Sequence, residues 1–82
     1  MTRVLIADDH ELLRDVLRSY LEAEGGFEVA TVADLPAALS LLDEGQYFDL
    51  LLLDYAMPGM NGYEGLEEAI AKAKGMAVAL MS

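Results

Sequence analysis

The hydrophobic positions of this chain follow two alternating patterns. Val4-Leu5-Ile6-Ala7 is apolar at consecutive positions, as in a strand buried on both faces. From Glu11 to Glu24 the residues Leu12, Leu13, Val16, Leu17, Tyr20 and Leu21 recur at helical spacing with charges opposite, which predicts a helix with one buried face. Gly25-Gly26 stops it, because both residues are free to take positive φ. Phe27 to Val32 reads as a second strand by β-propensity and alternation. Asp34 is placed to cap a second helix, with Pro36 in the tolerant first turn, Leu35, Ala38, Leu39 and Leu42 as the inner stripe, and Gly45 at the end. The unbroken run Leu50 to Leu53 predicts the central strand. Asn61 is expected to cap a third helix, in a capping-box-like pair with Glu64, and Leu66, Ala69, Ile70 and Ala73 should make its inner face. Gly75 closes that helix, and Met76 to Met81 predicts a fourth strand.

Strands that alternate with helices imply a parallel sheet with crossover helices, an α/β class. The expected architecture is a flavodoxin-like, doubly wound sheet of order 2-1-3-4, spanning residues 1–82 as one domain. In such sheets ligands gather beyond the carboxyl ends of the strands, where strand order reverses. The first strand ends at Asp8-Asp9 and the third at Asp54, so three carboxylates are expected in one pocket.

Composition narrows the chemistry. The chain has 82 residues and an apolar fraction of 55%, enough for a packed core in one small domain. Fifteen acidic residues against five basic ones give a net charge of −10, which excludes direct nucleic-acid binding by this segment. There are no cysteines, so neither a disulfide framework nor a thiolate metal site is available. Met1-Thr2-Arg3 runs directly into a short apolar stretch, too short for a signal peptide or membrane span, and a cytoplasmic location is the expectation.

Three close carboxylates repel unless a cation lies among them, and a hard divalent ion such as Mg²⁺ suits oxygen donors. Acidic residues at helix starts more often serve as caps, and Asp8-Asp9 alone would be read that way. What favours a site is the conjunction of Asp8, Asp9 and Asp54 at the predicted ligand edge. Beside Asp54, the segment Tyr55-Ala56-Met57-Pro58-Gly59-Met60-Asn61-Gly62 reads as a shaped loop, with Pro58 fixing φ and Gly59 and Gly62 permitting unusual backbone angles. His10 is read as a solvent-facing residue at the helix start, Tyr47 and Phe48 as packing residues, and the methionines as core fillers.

The strand ending in Asp8-Asp9, the strand Leu50-Leu51-Leu52-Leu53-Asp54 and the following Met57-Pro58-Gly59-Met60-Asn61-Gly62 resemble the response-regulator receiver domains of two-component signalling. The segment Asp8 to Arg14 looks most like the LuxR/FixJ-type branch. The resemblance implies that Asp54 accepts a phosphoryl group from a histidine kinase or phosphotransfer protein. It implies Mg²⁺ held by Asp9, Asp54 and the backbone carbonyl of Ala56, with Asp8 acting largely through water. It makes Ser82 the hydroxyl that contacts the phosphoryl group. On this reading the chain is a signalling switch and not an enzyme beyond its own phosphoryl transfer and hydrolysis.

The chain also departs from the family. The final strand, its Lys and the last two helices of a receiver are lacking, so the chain is expected to be truncated. The fourth strand should then form an open edge that favours a homodimer, and the first helix should lose a neighbour. A different class of reading is an inactive pseudo-receiver that serves only as an interaction module. A phosphohydrolase of the haloacid-dehalogenase type ranks last, because the position of its general acid is Ala56 here.

Overall fold

The computed structural model describes residues 1–81. Its elements in chain order are β1 (Thr2–Ala7), α1 (Glu11–Glu24), β2 (Phe27–Val32), α2 (Leu35–Asp43), β3 (Leu50–Asp54), α3 (Tyr63–Lys72) and β4 (Ala77–Met81). The four strands form one parallel sheet of order β2-β1-β3-β4, as the alternation of patterns predicted.

Register decides which residues share a face. Val4 pairs with Leu50, Leu5 with Leu51, Ile6 with Leu52 and Ala7 with Leu53. Because side chains alternate along a strand, Leu5, Ala7, Leu51 and Leu53 point to one side, and Val4, Ile6, Leu50 and Leu52 to the other. The first set packs with Leu35, Ala38 and Leu42 of α2, with Ala69 of α3, and with Phe48, Met57, Met60 and Ala73. The second set packs with Val29 and with Leu17 and Leu21 of α1. Continuous apolar runs in β1 and β3 follow from this, since β1 is buried on both faces and β3 fully on one, with Leu50 and Leu52 half-buried on the other. Each leucine fully buried this way contributes about 1.5–3 kcal/mol of transfer free energy.

Helix α2 starts as its sequence suggests: the Asp34 carboxylate accepts the Ala37 N–H at 2.8 Å, with Pro36 in the first turn. Helix α3 does not start as expected. It begins at Tyr63 behind Gly62, whose φ is 66°, and no side chain caps it. Asn61 stands outside the helix in the left-handed region (φ 52°), a conformation Asn tolerates better than most residues. Glu64 therefore falls one position short of the capping-box register. Ile70 is also corrected: it faces solvent, while Gly65 and Ala69 form the buried side.

The largest correction concerns α1. Leu17 and Leu21 meet the sheet, but Leu12 (76% exposed), Leu13, Val16 and Tyr20 lie open. The helix leans on the β2 side of the sheet and leaves its other flank uncovered. The expectation that α1 would lack a neighbour thus matches the structure, whereas the expectation of a wholly buried stripe does not. Of the other packing residues, Phe48 is fully inside, with the Arg3 guanidinium 4.9 Å above its ring, but Tyr47 is half exposed. Met57 and Met60 are core residues, whereas Met1 is open to solvent.

A candidate acidic cation and phosphoacceptor site

The register that pairs Ala7 with Leu53 carries one residue further, to Asp8 and Asp54 at the carboxyl edge of neighbouring strands. Both side chains continue the face shared by Val4, Ile6, Leu50 and Leu52. Both are buried, Asp8 at 1% and Asp54 at 7% exposure, and they are the only buried charged residues among those described. Carboxylates do not enter a core without partners, and here the partners are local. The Asp8 Oδ1 accepts the His10 backbone N–H at 2.7 Å and lies 2.9 Å from His10 Nδ1. The Asp54 Oδ1 accepts the Ala56 N–H at 3.1 Å. Each acid thus shapes the turn that leaves its own strand, the capping role expected of such residues.

Those bonds use only part of what the carboxylates offer. Asp54 Oδ2 receives no hydrogen bond from any described residue and lies 3.9 Å from His10 Nδ1. Asp9, more exposed, brings Oδ1 to 3.2 Å from the same nitrogen. One ligand atom from each of Asp8, Asp9, His10 and Asp54 lies within 4.8 Å of the others. An adjacent pair of acids at the end of β1 and a third at the end of β3 therefore meet in one place. The donor set is rich in carboxylate oxygen, the chemistry a divalent cation requires.

The sequence alone marks His10 as a solvent-facing residue at the helix start. Its ring is indeed exposed, but its Nδ1 turns back among the three carboxylates. The hydrogen bond to Asp8, with the charges of Asp9 and Asp8, raises its pKa above the ordinary 6.5. The available signal was its position directly after two aspartates at a strand end, where the turn into α1 must fold over them. Arg14, one turn along α1, donates from Nη1 to the Asp8 carbonyl at 2.6 Å and ties the helix to the same edge.

The loop after Asp54 is fixed from several sides. Met57 and Met60 are buried in the core, and the Pro58 carbonyl accepts the Leu35 N–H at 3.1 Å at the start of α2. Gly59 takes φ 94° and lies so close to α2 that a Cβ there would come 2.7 Å from Pro36 Cδ. The Tyr55 N–H donates to the Met81 carbonyl at 3.0 Å, and its ring sits 5.7 Å from that of Tyr63. The structure thus gathers Asp8, Asp9, Asp54 and the loop of Ala56, Pro58, Gly59 and Gly62 at one edge. Ser82 lies outside the described residues.

Residues 4–82 match the response regulator receiver domain family. The chain belongs to that family. It is 41% identical over 83 residues to the glycerol metabolism activator of Pseudomonas putida, an alignment covering all of this chain and 38% of that protein. Its fold superposes on the response regulator TrrA of Thermotoga maritima in complex with Mg(2+)-BeF, with TM-score 0.83, 35% identity and coverage of 98% of this chain and 68% of that one. TrrA also matches in its complex with the histidine kinase ThkA, with TM-score 0.82. A LuxR family DNA-binding response regulator from Silicibacter pomeroyi matches with TM-score 0.84 and 34% identity, over 98% of this chain and 62% of that one. The chain therefore spans well under half of the curated relative and about two thirds of these solved chains. Fold and acidic cluster together are those of a phosphoacceptor receiver domain. Among the described residues, no helix is long and apolar enough to cross a membrane.

Proposed function

We propose that Asp54 is the phosphoacceptor and that its Oδ2 is the attacking atom. The observation that carries this is the division of labour on one carboxylate: Oδ1 is held by the Ala56 N–H, while Oδ2 faces the cluster without a hydrogen bond from a described residue. Attack of Oδ2 on phosphorus would form the acyl phosphate and break the bond to the departing donor, the imidazole of a phosphohistidine or the carboxylate of acetyl phosphate. Such a transfer needs positioning and charge neutralisation more than covalent help. Burial in β3 and the Ala56 contact supply the first. The second falls to a divalent cation.

The residues fit Mg²⁺. Asp9 and Asp54 would hold it directly with the Ala56 carbonyl, and Asp8, whose Oδ1 is engaged by His10, would act largely through water. Bound there, Mg²⁺ would offset repulsion between the carboxylates and the incoming phosphoryl oxygens. Ser82, next along from β4, is proposed as the hydroxyl that contacts the phosphoryl group, and Pro58, Gly59 and Gly62 as the residues that shape the loop.

The phosphodonor proposed is a histidine kinase or phosphotransfer protein, by analogy with the ThkA complex of TrrA. A cytoplasmic site of action accords with that partner. Residues 1–82 are taken as one receiver domain. The likeness to the Silicibacter protein supports placement in the LuxR-type branch, with any DNA contact made by another domain. Strand β4 pairs only with β3 among the described strands, which supports a homodimer through that edge. Size-exclusion chromatography across ionic strengths tests it, since a chain of net charge −10 should associate more readily as salt rises.

The deciding experiment for Asp54 is intact mass spectrometry after incubation with acetyl phosphate and Mg²⁺. Wild type should gain one phosphoryl group, and Asp54→Asn none. Equal modification of the two, or none in wild type, would refute the assignment.

A further inference from the structure

Asn61 is the only asparagine of the chain, and a glycine follows it. Both residues are exposed in the turn between Met60 and α3, outside every helix and strand. Asn61 takes φ 52° and Gly62 φ 66°, so two consecutive residues stand at positive φ. Neither the Asn61 carboxamide nor the Gly62 N–H has a hydrogen-bond partner among the described residues. A side chain on the residue after an asparagine ordinarily shields the backbone nitrogen between them. Gly62 has none, and apart from its chain neighbours the nearest heavy atom to its missing Cβ is the Tyr55 hydroxyl at 4.0 Å. The carboxamide carbon and the nitrogen that can attack it are thus both open and unheld.

We propose that Asn61 is a self-modification site, converted through a cyclic imide with Gly62 to aspartate and isoaspartate, and that the isoaspartate unseats the loop after Asp54. The Gly62 nitrogen gives its proton to a solvent base and attacks Asn61 Cγ. The new N–Cγ bond closes the imide as the Cγ–Nδ2 bond breaks, and Nδ2 leaves as ammonia with a proton from water. Water then opens the ring. Addition at Cγ restores the ordinary backbone with an aspartate side chain. Addition at the main-chain carbonyl carbon leaves the backbone running through Cβ and Cγ, one methylene longer. That second product matters because the turn is closed: the Gly65 N–H donates to the Met60 carbonyl at 2.6 Å, with Asn61 and Gly62 inside the span. Met60 is fixed in the core, so the added methylene must open this hydrogen bond or lift Met60 from its seat. Aspartate adds only a charge before α3, where the helix dipole favours it.

The test is incubation of the purified chain at mildly alkaline pH, folded and in urea, followed by intact mass and enzymatic methylation of isoaspartyl carboxylates. The folded wild type should gain the mass difference between asparagine and aspartate at a rate within about tenfold of the urea-unfolded chain, because turning the Asn61–Gly62 peptide breaks no described hydrogen bond. Asn61→Gln, whose longer side chain closes the ring poorly, should lag far behind. The isoaspartyl fraction of aged wild type should lose hydrogen-exchange protection at the Gly65 amide, and Asn61→Asp should keep it. Deamidation confined to the unfolded chain, a folded wild type no faster than Asn61→Gln, or an isoaspartyl form with Gly65 still protected would each overturn the proposal.

Discussion

Gly65 lies inside helix α3, where replacing glycine by alanine ordinarily stabilises by about 0.5–1 kcal/mol. The structure predicts the opposite sign. A Cβ on Gly65 would stand 2.5 Å from the Met60 carbonyl oxygen, 2.6 Å from Met60 Cα and 2.8 Å from Leu35 Cδ2. Two of these three are backbone atoms of the loop that follows Asp54, and they cannot rotate aside. The Gly65 N–H also donates to that same carbonyl at 2.6 Å, so opening the contact weakens a hydrogen bond as well. Overpacking of this kind costs about 1–3 kcal/mol. With backbone as the obstacle, the upper half applies, and after the helical gain Gly65→Ala should lose about 1–2 kcal/mol. Urea unfolding measures this through the midpoint at constant slope. Ala71→Gly, on the exposed side of the same helix, serves as the companion, and it should lose about 1 kcal/mol by propensity alone. If Gly65→Ala were neutral or stabilising, the close seating of the loop on α3 would be wrong.

Three further outcomes follow from the same geometry. Phe48→Ala should cost about 3–5 kcal/mol, most of the stability of a domain this small, and leave little folded protein by circular dichroism. Replacing the exposed Leu12 and Val16 together by Ser should leave the unfolding midpoint within about 0.5 kcal/mol while reducing association by light scattering; a large loss of stability would mean that α1 is packed as its pattern first suggested. For His10, the raised pKa fixes the sign of a pH dependence in the metal-free domain. The stabilisation from its imidazolium is fully present below the unfolded value near 6.5 and is lost as pH rises through the higher folded value. His10→Ala should flatten that part of the profile, and an imidazole titration by NMR at or below 6.5 would contradict it.

The sheet was legible because β1 is buried on both faces and β3 fully on one and partly on the other. An unbroken run such as Leu50 to Leu53 has no other comfortable place in a soluble domain. Asp34 was legible as a cap because a lone acid before Leu35-Pro36 has one obvious geometry. Asn61 was not, since the same side chain suits a helix cap and a left-handed turn residue, and the glycine after it settles the choice only in three dimensions. The stripe on α1 records that a partner surface suits Leu12, Val16 and Tyr20, but periodicity carries no information on whether that surface lies within these residues. Ile70 departs from its expected inward position for a related reason. Its helical phase adjoins Ala69 and Leu66, and only the tilt of α3 on the sheet decides which of them turns outward.

At the site, the convergence of Asp8, Asp9 and Asp54 was predictable from the rule that ligands gather at the carboxyl edge of parallel strands. Its detail was not. That Asp8 serves the turn through the His10 N–H, that Asp54 keeps one oxygen without a described donor, and that the His10 ring turns back among the acids all depend on side-chain rotamers. Only the last leaves a trace in the sequence, in the position of His10 directly after the aspartate pair.

A receiver site of this kind requires one cation bound between the ends of β1 and β3. Titration of Mg²⁺ into isotope-labelled protein, followed by amide chemical shifts, tests it. The amides of Asp9, His10, Asp54, Tyr55 and Ala56 should move together along one saturating curve, and Asp54→Asn should weaken that curve for all of them. Shifts confined to one strand, or separate curves for the two strand ends, would contradict it.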